Sequence, residues 1–263
     1  MLIIKIGGGE SINLAGIVSD LAEIGGKNIL VHGANALRDK LARRLGIEKR
    51  VLTSVSGYSS VYSDEQAIDL QMAAYAGIRN KRIVELCQRH GVNAVGLSGL
   101  DGRTVQGKRN AGIRVREGGK LKMLHDFSGK PQAVNKALLE LLLDHNFVPV
   151  LSVPIADENG FAINSENDDI VAVLAEAFRP EKVVQLIEAP GFLENKDDPG
   201  SLVKTLSMSE LASREAGAEG RMKRKILALR KLFDHGAGQV IIGDGRTEHP
   251  VRDALNGKGT LVQ

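Results

Sequence analysis

Lys5 sits inside a short apolar run that ends in three glycines: Leu2-Ile3-Ile4-Lys5-Ile6-Gly7-Gly8-Gly9. A buried strand that stops in consecutive glycines exposes backbone N–H groups, and no side chain blocks their approach to a phosphate. Lys5 is placed to neutralise phosphoryl oxygens beside that turn. The lysine precedes the glycines, so this is not the GxxxxGK[ST] loop. Two more apolar runs end in glycine turns, at Gly33 and at 243–245. Far along the chain stand Asp168 and the basic run Lys223-Arg224-Lys225. Transfer of a phosphoryl group to a carboxylate needs these parts. Cations must flank the group, N–H donors must meet the developing charge, and an acidic residue must orient the cations. Read one at a time, the parts are ambiguous. Asp168 at a helix start is favoured by the helix dipole alone, the basic run is equally a solvated helix face, and His32 reads best as a satisfied core histidine. No nucleophile–base pair stands out, and no His, Cys or carboxylate cluster has metal-ligand spacing.

The elements that must position these residues alternate between strand and helix. Strands are expected over Leu2–Ile6, Asn28–His32, 94–97, 148–153, 183–187 and 239–242, with a last strand at 259–263. Helices are expected over Leu14–Ile24, 36–45, 64–91, 134–145, 168–178 and 222–234. The segment 103–130 alternates polar and apolar residues with glycine pairs, so it reads as antiparallel hairpins. Strand–helix alternation implies parallel strands joined by right-handed crossovers, and ligands at their carboxyl ends. The expected class is therefore α/β, a three-layer αβα sandwich around a mainly parallel sheet. The softest boundary is Arg179-Pro180, which divides the chain into lobes 1–178 and 179–263.

Composition sets limits on function. The chain has 263 residues, enough for a substantial core, with 43% hydrophobic and 25% charged residues. Aromatic residues are 3% and there is no Trp, so base stacking has little to work with. A net charge of +3 suits anionic substrates but argues for no nucleic acid. A single cysteine, Cys87, excludes an internal disulfide and a multi-Cys metal site. No apolar stretch approaches a membrane span, and no targeting segment precedes the first strand, so a cytoplasmic protein is expected.

Several ordered segments together resemble the amino acid kinase family, in its acetylglutamate kinase branch. They are LIIKIGGG, ILVHGAN, TSVSGYSSVYSDEQAIDL, GVNAVGLSGLDGR and GRMKRKILAL followed by VIIGDGR. The wording is closest to the carrier-protein-dependent aminoadipate and glutamate kinases of lysine and arginine biosynthesis. The resemblance implies the amino acid kinase fold, with a substrate lobe and a nucleotide lobe. It implies that Lys5 and Lys225 stabilise the transferring group from opposite sides and that Asp168 orients both. Gly7 and Gly8 would supply N–H donors to the nucleotide, and Gly191 and Met222 would surround the adenine end. Gly33, Ala34, Asn35, Val61 and Asn164 would form the acid site. ATP is the implied cofactor, with Mg²⁺ carried on the nucleotide. The implied partners are a small acidic substrate, possibly attached to a small acidic carrier protein, and a second copy of the chain in a homodimer.

Three departures bear on the acid site. The carrier-dependent enzymes have Arg where this chain has Val61, and Val cannot fork onto a carboxylate. The turn written HGGG or HGGS elsewhere is His32-Gly33-Ala34-Asn35, so a Cβ enters at position 34. The loop N-x-D-G-D reads Asn164-Ser165-Glu166-Asn167-Asp168. Three readings remain open: a kinase acting on a carrier-bound acid, an N-acetylglutamate kinase, or a non-catalytic regulatory homologue. The segment 103–130 is rich in Arg and Lys, which suits an acidic carrier or, equally, a solvated edge.

Overall fold

The structure is a computed structural model. It describes residues 1–48, 50–53, 55, 59–117, 120–195, 197–217 and 220–263, without the side chains of 53, 59–61, 117, 216, 217, 220–225 and 228. The chain runs β1 (Leu2–Ile6), α1 (Leu14–Ile24), β2 (Asn28–His32), α2 (Asn35–Leu45), β3 (Val51–Thr53), β4 (Ser59–Val61) and α3 (Glu65–Gln71). A π-helical stretch, Met72–Arg79, leads into α4 (Asn80–Arg89). Then come β5 (Ala94–Gly99), β6 (Val105–Arg109), β7 (Ile113–Glu117), β8 (Lys120–Leu124), β9 (Gly129–Val134), α5 (Lys136–Asp144), β10 (Val148–Ala156), β11 (Ala162–Ile163) and α6 (Asn167–Phe178). The chain closes with β12 (Lys182–Ile187), β13 (Thr205–Leu206), α7 (Met208–Gly217), α8 (Gly220–Asp234), β14 (Gln239–Asp244), α9 (Pro250–Leu255) and β15 (Thr260–Val262).

The central sheet has the order β13-β15-β14-β12-β1-β2-β10-β6-β9, with β5 and β11 also paired to β10. β1 lies between β12 and β2, parallel to both, and β10 and β14 extend the parallel set on either side. This is the expected mainly parallel sheet. Its two faces carry separate apolar clusters. Ile3, Val31, Leu151 and Val183 pack against Ile170 and Leu174 of α6 on one face. Ile4, Ile6, Leu30 and Val184 pack against Ile17 and Leu21 of α1 and Ile83 of α4 on the other. Side chains alternate along a strand, so Lys5 shares its face with Ile3 and lies on the α6 side.

Segment 103–130 contains the expected hairpins, in two tiers. β6 and β9 pair antiparallel within the sheet, and β7 and β8 form their own two-stranded ribbon. The helix expected over 64–91 is continuous but not uniform. The Asn80 N–H donates to Tyr75 O five residues back, so one stretch is wound wider than an α-helix. Among the described residues, no helix is long and apolar enough to cross a membrane.

Candidate active site

Lys5 and Asp168 meet at the carboxyl end of β1. Lys5 Nζ lies 3.0 Å from Asp168 Oδ1, an ion pair of short charge-assisted geometry. Asp168 and Asp169 occupy the first turn of α6, where the helix dipole favours both carboxylates. Lys5 is aligned with Gln185 of β12 and Val31 of β2, so it stands at the middle of the sheet. The long-range pairing of β1 with α6 thus creates a cation whose direction is fixed by a carboxylate.

The glycine turns after β1 and β2 lie against each other beside this pair. The Gly7 N–H donates to Leu186 O and the Gly33 N–H to Ile6 O, both at 2.9 Å, and the Ala36 N–H donates to Gly8 O at 3.0 Å. The Gly7 N–H, expected to serve the nucleotide, is thus committed to the neighbouring strand instead, because the sheet ladder runs one residue past β1. A Cβ on Gly8 would meet Asn35 N at 2.7 Å and Ala34 N at 2.8 Å. The two turns are therefore packed backbone to backbone. Ala34 resolves the concern raised by its Cβ. It has φ −149°, ordinary for an L-residue, and its methyl is buried in the cluster around Ile3. Asn35 Oδ1 accepts from the Tyr75 hydroxyl. Burial pushes the Tyr75 phenol up to about 12, which keeps it a donor.

His32 is the satisfied core histidine that the sequence suggests. Its Nε2 is 3.2 Å from Asn80 Nδ2, which also donates to Val150 O, and its Nδ1 is 3.3 Å from Gly33 O. Asn80 can only donate through Nδ2, so His32 carries its proton on Nδ1 and donates to the Gly33 carbonyl. Burial pushes its pKa down to about 3.

Asn164 follows β11 and joins a polar chain. It accepts from Gln71 Nε2 at 2.5 Å and donates to Ser63 Oγ at 3.1 Å. Its cleft is lined by Arg38, Arg50, Tyr62, Ser63 and Gln71 among others. Gly191 follows β12 beside β15, where a Cβ would meet Leu202 Cδ1 and Thr260 Oγ1 at 2.7 Å. The backbone brings Lys5, Gly7, Gly8, Gly33, Ala34, Asn35 and Asp168 to one edge of the sheet. Val61 lies in β4, and Met222 and Lys225 lie in α8, but their side chains fall outside the described residues. α8 itself is docked on α6, with Lys231 Nζ 2.7 Å from Asp169 Oδ1 and His235 Nδ1 2.7 Å from Glu176 Oε2.

Two residues here were not singled out by sequence. Gln71 is one, because a glutamine in a helical pattern reads as a solvated position. Glu188 is the other. Its Oε1 accepts from Ser11 N at 2.9 Å and Ser11 Oγ at 2.5 Å. Those bonds, helped by Arg246 and Arg79, hold its carboxyl below the usual range. The carboxylate occupies the place a Cβ on Gly9 would take. Among the described residues, no group of three or more His, Cys, Asp or Glu could hold a metal ion.

The sequence matches the amino acid kinase family over residues 1–244. It is 40% identical to the [LysW]-aminoadipate kinase of Thermus thermophilus, covering all of both chains. It is 41% identical to the [LysW]-aminoadipate kinase of Deinococcus radiodurans, over all of this chain and 91% of that one. The acetylglutamate kinase of Methanopyrus kandleri is 30% identical, again over the full length of both. The fold is shared with N-acetylglutamate synthase from Neisseria gonorrhoeae at TM-score 0.78 and 23% identity, over 99% of this chain and 58% of that one. Carbamate kinase from Giardia lamblia, bound to AMP-PNP, superposes at TM-score 0.68 with 16% identity over 99% of this chain and 97% of that one. The full-length match, the parallel sheet and the lysine–aspartate pair at its carboxyl edge lead to one assignment: the chain belongs to the amino acid kinase family.

Proposed function

We propose that the protein transfers the γ-phosphoryl group of ATP to the side-chain carboxylate of an N-blocked amino acid, giving an acyl phosphate for amino-acid biosynthesis in the cytoplasm. The preferred substrate is aminoadipate or glutamate held on a small acidic carrier protein. The observation that carries this reading is the Lys5–Asp168 pair, 3.0 Å apart, beside two turns that meet where neither Gly8 nor Gly33 has room for a side chain. The names of the Thermus and Deinococcus relatives support the choice of acid.

In this reading, Lys5 meets the phosphoryl oxygens on one side and Lys225 on the other. Asp168 fixes Lys5 and keeps the pair of cations from drifting apart. Gly8 and Ala34 present backbone N–H groups where negative charge grows during in-line transfer, while the Gly33 N–H is held by the Ile6 carbonyl and fixes the turn. These donors are fixed by the fold, so little reorganisation is needed at the moment of reaction. Mg²⁺ arrives with ATP as part of the nucleotide substrate. Residues 1–178 form the acid lobe, with Gly33, Ala34, Asn35, Val61 and Asn164 at its site. Residues 179–263 form the nucleotide lobe, with Gly191 and Met222 beside the adenine.

The β7–β8 ribbon supports the carrier part of the reading. Arg114, Arg116, Lys120 and Lys122 line it, with Leu121 60% and Met123 46% exposed among them. The ribbon is tied to the acid cleft. Val55 N donates to Arg114 O at 2.9 Å, and the Tyr62 hydroxyl donates to His125 O at 3.0 Å. An acidic partner drawn to the ribbon would be delivered beside the cleft.

ADP release in the presence of ATP·Mg²⁺ tests the proposal. Carrier-bound aminoadipate or glutamate should be turned over faster than free N-acetylglutamate. If no carboxylate stimulates ADP release while ATP still binds, the protein is a binding homologue and the proposal fails.

A further inference from the structure

A cavity separate from the acid cleft opens beside the β1 turn, on the other side of α2. Arg38, Asp39 and Ala42 of α2 line the acid cleft, whereas Ala36, Leu37 and Lys40 line this cavity. Residues two apart on an α-helix are turned by about 200°, so Arg38 and Lys40 leave the helix on nearly opposite sides. The cavity holds about 240 Å³, far more than one water needs, and neither Lys5, Asp168 nor Asn164 lines it. Its wall joins the backbone of Gly8 and Gly9 to three cationic side chains, Lys40, Arg79 and Arg82. One carboxylate of the wall, Glu10, lies 3.9 Å from Lys40 and is 84% exposed. Arg82 is already paired with Glu85 at 2.7 Å.

Arg79 differs from the other two cations. It ends the π-wound stretch, after which Asn80 turns inward to His32 while Arg79 stays on the cavity wall. Among the described residues its guanidinium has no hydrogen-bond or ion-pair partner, and Nε and Nη2 are shut off from solvent. Nη1 is the nitrogen left open to a ligand. Burial lowers the Arg79 pKa, and the charge of Glu188 opposes that without forming an ion pair. A partly buried guanidinium brings five N–H donors and no acceptor of its own, which is costly until an anion supplies one.

We propose that this cavity is a binding site for a phosphate group, anchored by Arg79 and assisted by Lys40 and Arg82. A phosphate presents oxygens in several directions, which suits cations that come from two different helices, whereas a carboxylate presents two in one plane. The apolar part of the wall, Leu14, Leu37 and Ile78, has room for a small organic body carrying that phosphate. The cavity shares Gly8 and Ala34 with the proposed transfer centre, so its occupant rests against the same turns from another side.

Calorimetric titration of inorganic phosphate in phosphate-free buffer tests the site. Lys5→Met disables the transfer centre alone, and it should still bind one phosphate per chain. Arg79→Met should weaken this binding by about 10- to 100-fold, as for the loss of hydrogen bonds between charged groups. Lys40→Glu, at a half-exposed position of α2, should weaken it by about fivefold or more. Phosphate should raise the melting temperature of the wild type and not that of Arg79→Met. Without phosphate the two should melt alike, since the charge removed had no partner. Phenyl phosphate separates the two sources of the ligand. Tighter binding than free phosphate assigns the site to an organic phosphate, and weaker binding assigns it to phosphate itself. Failure of Lys5→Met to bind phosphate places the anion in the transfer centre and overturns the proposal. So does an affinity that Arg79→Met leaves unchanged. If Arg79→Met does not fold, unchanged affinity in Lys40→Glu overturns it in the same way.

Discussion

Gly33 and Gly8 exclude side chains from each other: a Cβ on Gly33 would lie 2.8 Å from Gly8 N and 2.9 Å from Gly8 Cα. The atoms it would meet are backbone, so the obstruction cannot be relieved by a rotamer change. Gly33→Ala must therefore push the β1 turn away from the β2 turn. Stability should fall modestly, because the turns are at the sheet edge and neither Gly8 nor Gly33 contributes a side chain to an apolar cluster. The N–H donors of both turns would be misplaced, and a shift on the ångström scale costs on the order of 100-fold in rate. Steady-state kinetics with melting curves on the same samples checks this. Normal kinetics in Gly33→Ala would show that the two turns need not be in contact.

Lys5 and Asp168 form an ion pair, and the proposed reaction gives each partner a separate role. Removing the cation in Lys5→Met should lower kcat by on the order of 100- to 1000-fold, the range for loss of one preorganised donor to a developing charge. Asp168→Asn keeps the size and loses the charge that holds Lys5. It should lower kcat less, since the ammonium remains. ATP affinity should change little in either variant if the interaction is made chiefly in the transition state. A tenfold loss of ATP affinity with unchanged kcat would reassign the pair to ground-state binding.

Much of this site was legible because it depends on short-range pattern. In β1 the apolar residues and the glycine stop define both a buried strand and its end, and alternation places Lys5 on the same face as Ile3. The ribbon β7–β8 was legible from its alternation and glycines. The strands β3 and β4 were not, since each is three residues long and they lie among Ser and Gly. α7 carried a signal that could have been read. Ser207 and Glu210 form a reciprocal capping box, with Glu210 N donating to Ser207 Oγ at 3.2 Å and Ser207 N to Glu210 Oε2 at 2.7 Å. Gln71 had no such signal. Its burial follows from contact with Asn164, which lies 93 residues further on. Nor does a 3.6-residue period reveal the π-wound stretch before Asn80, since the apolar spacing fits an ordinary helix.

Lys225 belongs to α8, which is anchored on α6 through Lys231 and Asp169 and through His235 and Glu176. Those anchors lie C-terminal to Lys225, so the helix should stay docked when Lys225 is truncated. Lys225→Ala should keep its melting temperature within a few degrees and lose at least about 100-fold in kcat, as expected for a lost phosphoryl-binding cation. Little change in kcat would remove Lys225 from the transfer site.

His32 makes stability depend on pH in a defined direction. Its pKa is pushed down to about 3 by burial, against roughly 6.5 in an unfolded chain. Between these values the unfolded chain binds a proton that the folded chain refuses. Stability should therefore be unaffected by His32 above about pH 6.5 and should fall below it, by up to about 1.4 kcal/mol per pH unit. Urea unfolding at pH 7, 6 and 5 reads the slope before most carboxylates titrate. His32→Asn keeps an N–H for the Gly33 carbonyl and has no titrating ring, so its slope in this window should be shallower. Equal slopes in the two proteins would mean that His32 is protonated in the folded state.

The β7–β8 ribbon gives the carrier proposal its own quantitative handle. Attraction between exposed charges is screened over about 10 Å at 0.1 M salt, so a steered complex weakens as salt rises. Binding of a small acidic carrier protein should be tighter at 20 mM salt than at 500 mM, with most of the difference in the association rate. Reversing two charges in Arg116→Glu/Lys120→Glu should slow association and flatten the salt dependence. Stability should be little affected, because both residues are exposed on the ribbon. Turnover of free N-acetylglutamate should not change in this double variant, since the ribbon is outside the phosphoryl-transfer site. Surface-plasmon measurements at the two salt concentrations, paired with ADP release, separate these effects. If the double variant binds the carrier with unchanged kinetics, the basic ribbon is a solvated edge, and the carrier must enter the cleft from another side.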